Sequence, residues 1–101
     1  MDEIRRVVDP WGRVVVFDYE SWLHLATGAR PEMLDHVDAI LATVALPHHR
    51  AHDPLPGRER FYARHVLLPD RWLRVIVDYD EIPARIVTAL VQPDDPRRTT
   101  R

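Results

Sequence analysis

The histidine at position 24 is, by residue type and spacing, a candidate for proton transfer. His24 follows Trp22 by two positions and precedes Leu25, so it lies beside the apolar stripe of a short amphipathic helix. A neutral imidazole near pH 7 can take a proton from a hydroxyl group and can give one to a leaving oxygen. The alternative is a half-exposed histidine that hydrogen-bonds to a neighbouring strand, and the residue types leave both interpretations open.

Two arginines lie in runs that are otherwise apolar and strand-like. Around Arg64 and Arg74 the residues are mostly apolar, and a guanidinium in such a strand must reach a partner or solvent. Its planar fork of donors fits two phosphate oxygens and can stabilise the extra charge of a phosphorane-like transition state. A salt bridge to Asp78 or Asp35, or a solvated sheet face, is the alternative.

The charge of the chain is unevenly distributed. The formal net charge is −2, but residues 48 to 74 carry six arginines against three acids, together with four of the six histidines. We therefore expect an anionic ligand to meet this segment, with Arg58 and Arg60 among its contacts. The ring of Tyr62 is a candidate for stacking on a nucleobase, because aromatic faces accept any base. Packing of Tyr62 against a neighbouring strand is the alternative.

One group of side chains has the composition of a metal site but not the spacing. His48, His49, His52 and Asp53 fall within six positions, yet they lie in a segment interrupted by prolines and lack the i, i+4 helical spacing of zinc motifs. The chain has no cysteine for a thiolate ligand. We therefore expect no metal and no other cofactor. The segment is interpreted either as a mobile loop that faces substrate or as a plain solvent-exposed loop.

The length of 101 residues is that of one domain with one core. We expect this domain to span residues 1–93 and residues 94–101, which include Pro96 and three arginines, to form a disordered tail. The longest apolar runs, such as residues 14–17, are far shorter than the ~20 residues that cross a bilayer, and the acidic start differs from a signal peptide. The expected location is the cytoplasm, without membrane association.

The apolar periodicity and the prolines predict six elements. The first strand spans 13–18, and a short helix over 19–26 follows Asp18 as its cap. A second helix begins at Pro31 and ends before Pro47, with apolar residues at a 3.6-residue period. Residues 48–59 are predicted as a loop, and strands are predicted over 60–68, 72–78 and 85–92. The expected fold is α+β, order β-α-α-β-β-β, with two helices packed on one face of a four-stranded, mainly antiparallel sheet.

Five short strings occur in an order that is typical of one nuclease group. They are Trp22-Leu23-His24-Leu25, Arg30-Pro31-Glu32-Met33, Phe61-Tyr62-Ala63-Arg64, Leu73-Arg74-Val75-Ile76-Val77 and Ile86-Val87-Thr88-Ala89. In this order the chain resembles, over residues 13 to 92, the phage-linked branch of the barnase, EndoU, colicin and RelE-like nucleases. That branch has a Trp-x-His-Ile helix, a His-Pro-Glu-Leu string, a Tyr-Arg strand, a Leu-Arg-Val-Val strand and a closing Val-Thr-Ala strand. Arg30 stands where the family string has its histidine, so a role of that histidine would be lost here.

The resemblance implies a small metal-independent endoribonuclease, the toxin of a toxin–antitoxin pair, that cleaves RNA by attack of the 2′-hydroxyl. It implies His24 as acid or base, Arg64 as phosphate clamp and Thr88 as a positioning hydroxyl, although Thr88 is also ordinary strand filler. Arg74, with Arg58, Arg60 and Tyr62 above, completes the expected RNA contacts. A cognate antitoxin with an acidic segment is expected to cover His24 and Arg64. The alternative is a catalytically inactive protein- or RNA-binding module on the same fold.

The nuclease interpretation requires Arg64, Arg74 and Thr88 to share the sheet face turned away from the helices. In the strand over 72–78, residues 73, 75 and 77 form the core face, which leaves Arg74 on the open face. In the last strand, residues 87, 89 and 91 are expected to face the helices, which leaves 86, 88 and 90 open. A three-residue turn at 69–71 would pair Arg64 with Ile76 on the open face, whereas a two-residue turn would pair it with Val75 on the core face. We expect the three-residue turn, because Pro69-Asp70 suits a type I turn, whose twist fits a two-residue hairpin badly and a longer connection well.

Overall fold

The computed structural model describes residues 3–28 and 30–98. Its strands and α-helices are, in chain order, β1 (Glu3–Val8), β2 (Val14–Asp18), α1 (Tyr19–Thr27), α2 (Val37–Ala45), β3 (His49–His52), β4 (Arg58–Arg64), β5 (Trp72–Asp78) and β6 (Ala84–Gln92). A 3₁₀ helix, Pro31–His36, leads directly into α2. The second helix predicted from Pro31 is therefore α-helical only from Val37 onwards.

The sheet has six strands in the order β1-β2-β6-β5-β4-β3, and its neighbours are antiparallel except for the parallel pair β2 and β6. The predicted α+β class and mainly antiparallel sheet are confirmed. The predicted strand number of four and the order β-α-α-β-β-β are wrong, because the order is β-β-α-α-β-β-β-β. The added strand β3 falls inside the predicted loop 48–59. It has no β-branched residue, so its extended form follows from pairing with β4 and not from its own composition.

The start of α1 is held by a reciprocal cap that also ties the helix to the sheet. Asp18 Oδ1 accepts the backbone N–H of Ser21, and Ser21 Oγ accepts the backbone N–H of Asp18. The Ser21 hydroxyl also donates to the carbonyl oxygen of Ile86 in β6 at 2.5 Å. Both Asp18 and Ser21 are buried, so this cap fixes where α1 lies on the sheet.

The core lies between the two helices and one face of the sheet. In α2 the buried apolar residues Ile40, Leu41 and Val44 form one helical stripe, and α1 contributes Leu25. These side chains belong to a single cluster with residues of β2, β4, β5 and β6. Its members are Val15, Phe17, Leu25, Met33, Ile40, Leu41, Val44, Phe61, Leu73, Val75, Val77, Ala84, Ile86 and Ala89.

The connection between β4 and β5 differs from the predicted turn. Arg64 pairs with Trp72, and not with Ile76 or Val75, so residues 65–71 form the loop. His65 has φ 61° and Asp70 has φ 59°, conformations that an extended strand does not contain. The His65 ring nitrogen Nδ1 accepts the backbone N–H of Asp70 at 2.9 Å, which closes the loop. The strand predicted over 60–68 therefore ends at Arg64, because the chain turns there.

A bulge changes the face of two residues in β6. Ile76 pairs with Thr88, but the next residue, Val77, pairs with Ile86, so Val87 has no partner in the register. Ile86 consequently faces the core and is fully buried. The prediction that Ile86 lies on the open face and Val87 on the core face is therefore wrong. The regular alternation holds on the C-terminal side of the bulge, where Ala89 is in the core.

Of the predicted tail 94–101, residues 99–101 lie outside the described residues. Residues 94–98 form a turn in which Arg97 bonds to Asp95. The Arg97 guanidinium lies 5.2 Å from the ring centre of Trp72.

Among the residues that the structure describes, no helix is long and apolar enough to cross a membrane.

Candidate functional site

Arg64, Arg74 and Thr88 lie on the open face, meaning the sheet face turned away from the helices. Residues that pair directly across strands point to the same side. Arg64 pairs with Trp72, Arg74 follows two positions later, and Thr88 pairs with Ile76, two positions further along β5. The prediction that the three residues share this face is confirmed. Arg74 is half-buried, and within the described part of the chain its Nε has no hydrogen-bond partner.

His24 lies away from these residues. It is exposed on α1, which packs against β2 and β6 on the helix side of the sheet. There it lines a shallow groove with Thr27, Arg85 and Val87. Arg64 lies at the end of β4, two strands away from β6 in the sheet, and does not line this groove, so the structure does not bring the predicted acid–base residue to the predicted phosphate clamp.

Two of the other predicted RNA contacts, Tyr62 and Arg60, already have side-chain partners in the protein. Tyr62 is only 3% exposed, because its ring packs against Trp72 and His49, and no base can stack on it in this conformation. Arg60 Nε donates to Asp53 Oδ1 at 2.7 Å. Burial opposes ionisation of Asp53, but hydrogen bonds from Arg60 and from the backbone of Leu55 outweigh it and lower the pKa of Asp53. Arg58 begins β4, where it pairs with Asp78 and is half-buried.

The residues considered as a metal group are divided between different contacts. His48 Nδ1 accepts the backbone N–H of Arg64, and the His49 ring lies against Tyr62. His52 contacts Glu59, and Asp53 binds its arginine. Because β3 alternates its side chains between the two faces, these groups do not converge. Within residues 3–28 and 30–98, no group of three or more histidine or carboxylate side chains could hold a metal ion.

A cleft of about 410 Å³ forms where the β1–β2 turn meets the beginning of β4. Its lining residues are Trp11, Arg13, His52, Gly57, Glu59 and Tyr79, and it is called the end cleft below. The Trp11 ring packs edge-on against Phe61 of β4 and against Tyr79, at centroid distances of 6.0 and 6.1 Å. This packing holds the β1–β2 turn beside β4. The two walls of the cleft thus come from segments far apart in the chain.

Asp9 holds one wall of the end cleft in place. This residue is 4% exposed, and its Oδ1 accepts the backbone N–H groups of Trp11 at 2.9 Å and Arg13 at 2.8 Å. Its Oδ2 accepts the hydroxyl of Tyr79 at 2.5 Å. Burial, and then the hydrogen bond and charge of Asp9, raise the pKa of Tyr79 well above the usual range for a tyrosine. Tyr79 is therefore a fixed, protonated donor and not a proton carrier.

The opposite wall carries an oriented histidine. His52 and Glu59 pair across β3 and β4, and His52 Nδ1 lies 2.7 Å from Glu59 Oε2. An ionised carboxylate can only accept, so Nδ1 carries the hydrogen and Nε2 is free to accept a proton. The side chain of His52 is 91% exposed and that of Glu59 is 23% exposed. The imidazole is thus held by Glu59 at Nδ1, while the rest of the ring is exposed to a ligand.

Two arginines lie on the aromatic rings of the cleft. The Arg13 guanidinium carbon is 4.6 Å from the ring centre of Tyr79, and that of Arg50 is 4.2 Å from the ring centre of Trp11. Neither arginine forms an ion pair with any carboxylate of the described residues. The cleft therefore combines an oriented imidazole with two cations that are available to an anion.

The sequence interpretation missed this cleft because its residues lie outside the strings that carry the resemblance. His52 and Glu59 both lie in the segment predicted as a loop, and only the strand pairing makes them neighbours. The Asp9-Pro10-Trp11-Gly12 string is a turn signal, and it could have indicated a hairpin ahead of β2.

Comparison of the chain with protein-family models, with curated proteins and with solved structures finds no match. The resemblance to the nuclease superfamily stays a prediction.

Proposed function

We propose that the protein is a metal-independent endoribonuclease and that its chemistry takes place in the end cleft. The observation that carries the proposal is the His52–Glu59 pair, which presents an oriented imidazole in the same cleft as the Arg13 guanidinium. A base, a group that orients the base and a cation for the phosphate are what RNA cleavage without a metal requires. The resemblance of the sequence to a nuclease superfamily supports the same reaction class.

In the proposed reaction His52 Nε2 takes the proton of a ribose 2′-hydroxyl. The 2′-oxygen forms a bond to phosphorus while the bond from phosphorus to the 5′-oxygen breaks. The products are a 2′,3′-cyclic phosphate and a 5′-hydroxyl, which takes its proton from water. Glu59 stabilises the imidazolium that forms, and Arg13 stabilises the added charge on the phosphoryl oxygens.

The residues predicted from the sequence lie apart from this reaction. By strand alternation His52 and Glu59 lie on the helix-side face of the sheet, opposite Arg64, Arg74 and Thr88, so these three residues and His24 take no part in the proposed proton transfer or phosphate contact. The toxin role and the cognate antitoxin come from the resemblance. An acidic antitoxin segment would neutralise the enzyme by covering the unpaired Arg13 and Arg50 of the end cleft.

The test is cleavage of a labelled single-stranded RNA by the purified protein in EDTA, with the 2′,3′-cyclic end identified by mass spectrometry. His52→Ala should lower the rate by about 100-fold or more, the loss typical of a removed general base. Glu59→Gln should lower it less, because the amide still contacts the ring but no longer stabilises the imidazolium. His36→Ala is the matched control, since His36 is exposed and lies outside the cleft.

His24→Ala and Arg64→Ala decide between the end cleft and the site predicted from the sequence. If these variants lose activity while His52→Ala retains it, the end cleft is not the catalytic site. Loss of wild-type activity in EDTA, with recovery on adding a divalent ion, would show that the metal-free part is wrong.

A catalytically inactive binding module is the second candidate. The separation of His24 from Arg64, which lies two strands away and outside the His24 groove, favours it, because those two residues are the catalytic pair that the resemblance implies. Expression without a partner distinguishes the candidates: a nuclease toxin should arrest growth, and the His52→Ala variant should not. Tight binding of RNA without any cleavage would support the binding module.

A further inference from the structure

The stack of Arg50 on Trp11 is an exposed feature that the chemistry at His52 does not require. Trp11 is 52% exposed, although its edge packs against Phe61 and Tyr79 inside the molecule. The guanidinium of Arg50 covers the ring at 4.2 Å and, among the described residues, has no carboxylate partner. An indole held rigidly in place, half open and flanked by an unpaired cation, is suited to a flat ligand with a negative charge.

We infer that Trp11 and Arg50 form a nucleobase subsite of the end cleft and that the substrate is single-stranded RNA. The inference rests on the proposed function for the reaction, and adds the substrate class. In it, one unpaired base stacks on Trp11, while Arg50 and Arg13 contact the adjoining phosphates. Bases stacked on aromatic rings beside arginines are the usual basis of binding to single strands.

The exposed indole in the end cleft suits an unpaired base. At about 410 Å³ the end cleft lies near the lower end of the range of small-molecule sites, roughly 300 to 1,000 Å³. That volume has room for one nucleotide. In a duplex the base faces are covered by their neighbours, so a base must be unstacked before it can reach an aromatic ring. Single strands provide such a base without this cost.

The cations around the subsite are placed to meet an anion. Three carboxylates adjoin the cleft: Asp9, which binds the turn amides and the hydroxyl of Tyr79, Glu59, which contacts His52, and Asp80, which lies against Gly57. The two arginines on the rings are free of ion pairs with the described residues, as shown above. A phosphate group can therefore reach a guanidinium on each aromatic ring of the cleft.

The inference is tested by binding of a 2′-O-methyl oligonucleotide, which has no 2′-hydroxyl to react, compared with its duplex. Trp11→Leu should weaken binding of the single strand by about 10- to 100-fold, the loss of one base–aromatic stack. Trp11→Phe keeps an aromatic face and should bind within a few-fold of wild type. Trp22→Leu is the control, because Trp22 is exposed on α1 and outside the cleft.

Arg50→Gln keeps the inference testable if the Trp11 variants melt early. It removes an exposed charge, and it should weaken binding and reduce the salt dependence of affinity by about one phosphate contact. Arg71→Gln, in the loop 65–71, should change neither. The inference is overturned if the duplex binds as tightly as the single strand, or if well-folded Trp11→Leu and Arg50→Gln proteins bind like wild type. Trp11-dependent binding by a protein that cleaves no RNA would uphold the subsite and refute the proposed reaction.

Discussion

The buried carboxylate of Asp9 offers the sharpest test of how the end cleft is built. Replacing it in Asp9→Ala removes the only side-chain acceptor that the structure shows for two turn amides, those of Trp11 and Arg13, and for the Tyr79 hydroxyl. The turn would then lose its side-chain hydrogen bond to Tyr79 in the segment after β5, and the ring contacts of Trp11 and Arg13 with Tyr79 would remain. Asp9→Asn is a milder change, because one carbonyl oxygen remains for both amides, which bind Oδ1 in the wild type.

The magnitude follows from the number of donors that lose their acceptor. An unsatisfied buried donor costs about 1–3 kcal/mol, and the lower value applies here because water can reach an exposed turn once the carboxylate is gone. Three donors then give a loss of about 3 kcal/mol in the free energy of unfolding for Asp9→Ala. In a domain of this size that is a fall in Tm of about 12–24 °C. For Asp9→Asn we expect about 1 kcal/mol, since one charge-assisted bond is lost.

The assay is urea denaturation followed by circular dichroism. Asp38→Ala is the control for removing one carboxylate, because Asp38 is 88% exposed and pairs with Arg5 on the surface, where an ion pair contributes ~1 kcal/mol or less. If Asp9→Ala unfolds with a free energy close to that of Asp38→Ala, the three bonds to Asp9 do not hold the turn.

Three further predictions concern single contacts. Ser21→Ala should lower the free energy of unfolding by about 1–2 kcal/mol in urea denaturation, because the carbonyl of Ile86 and the helix cap lose their partner. Burial raises the pKa of Asp53, but the hydrogen bonds from Arg60 and Leu55 and the arginine charges together have a larger opposite effect, so the net pKa is lowered. The pair therefore stabilises the fold above the ordinary carboxyl pKa, and this stabilisation is lost as the pH falls through the lowered pKa. Melting curves between about pH 2 and pH 5 should therefore depend less on pH in Asp53→Asn. Since the pKa of Tyr79 is raised, Tyr79→Phe should leave the phenolate absorbance that develops between about pH 9 and pH 11 unchanged, and a smaller absorbance would contradict the buried bond to Asp9.

Some elements of the fold could be predicted from the chain because their signals are local. The strand predicted over 72–78 has the bounds of β5, and the α1 helix differs from its prediction by one residue. Alternation along β5 correctly separated core from open positions, and the 3.6-residue period identified the buried stripe of α2. In these segments one face of the helix or strand is buried, so the apolar residues recur at the period of that element and predict it.

Elements that depend on a partner strand could not be predicted in this way. Strand β3 has no apolar pattern of its own and is extended because β4 supplies its hydrogen bonds. The register of Arg64 was set by a loop in which His65 and Asp70 adopt left-handed conformations, which no turn preference at 69–71 indicates. The bulge opposite Val77 reversed the faces of Ile86 and Val87 for a similar reason, since it exists only in the pairing of two strands.

The candidate site also has features that the sequence predicts and features that only the tertiary structure decides. The sequence by itself determined the residue types that can hold phosphate, the basic middle segment and the open-face position of Arg74, because alternation within β5 sets the direction of each side chain. The faces of Arg64 and Thr88 were predicted correctly, but they depend on how β4 and β6 pair with β5. Only the tertiary structure decided that His24 lies two strands away from Arg64 and that His52 meets Glu59. It also decided that Asp9 bonds to Tyr79, 70 positions away. Such contacts join residues that are far apart in the chain, so they depend on how the strands pack together. The packing of Trp11 against Phe61 is one of them, and it leaves no periodic pattern of apolar residues in the sequence.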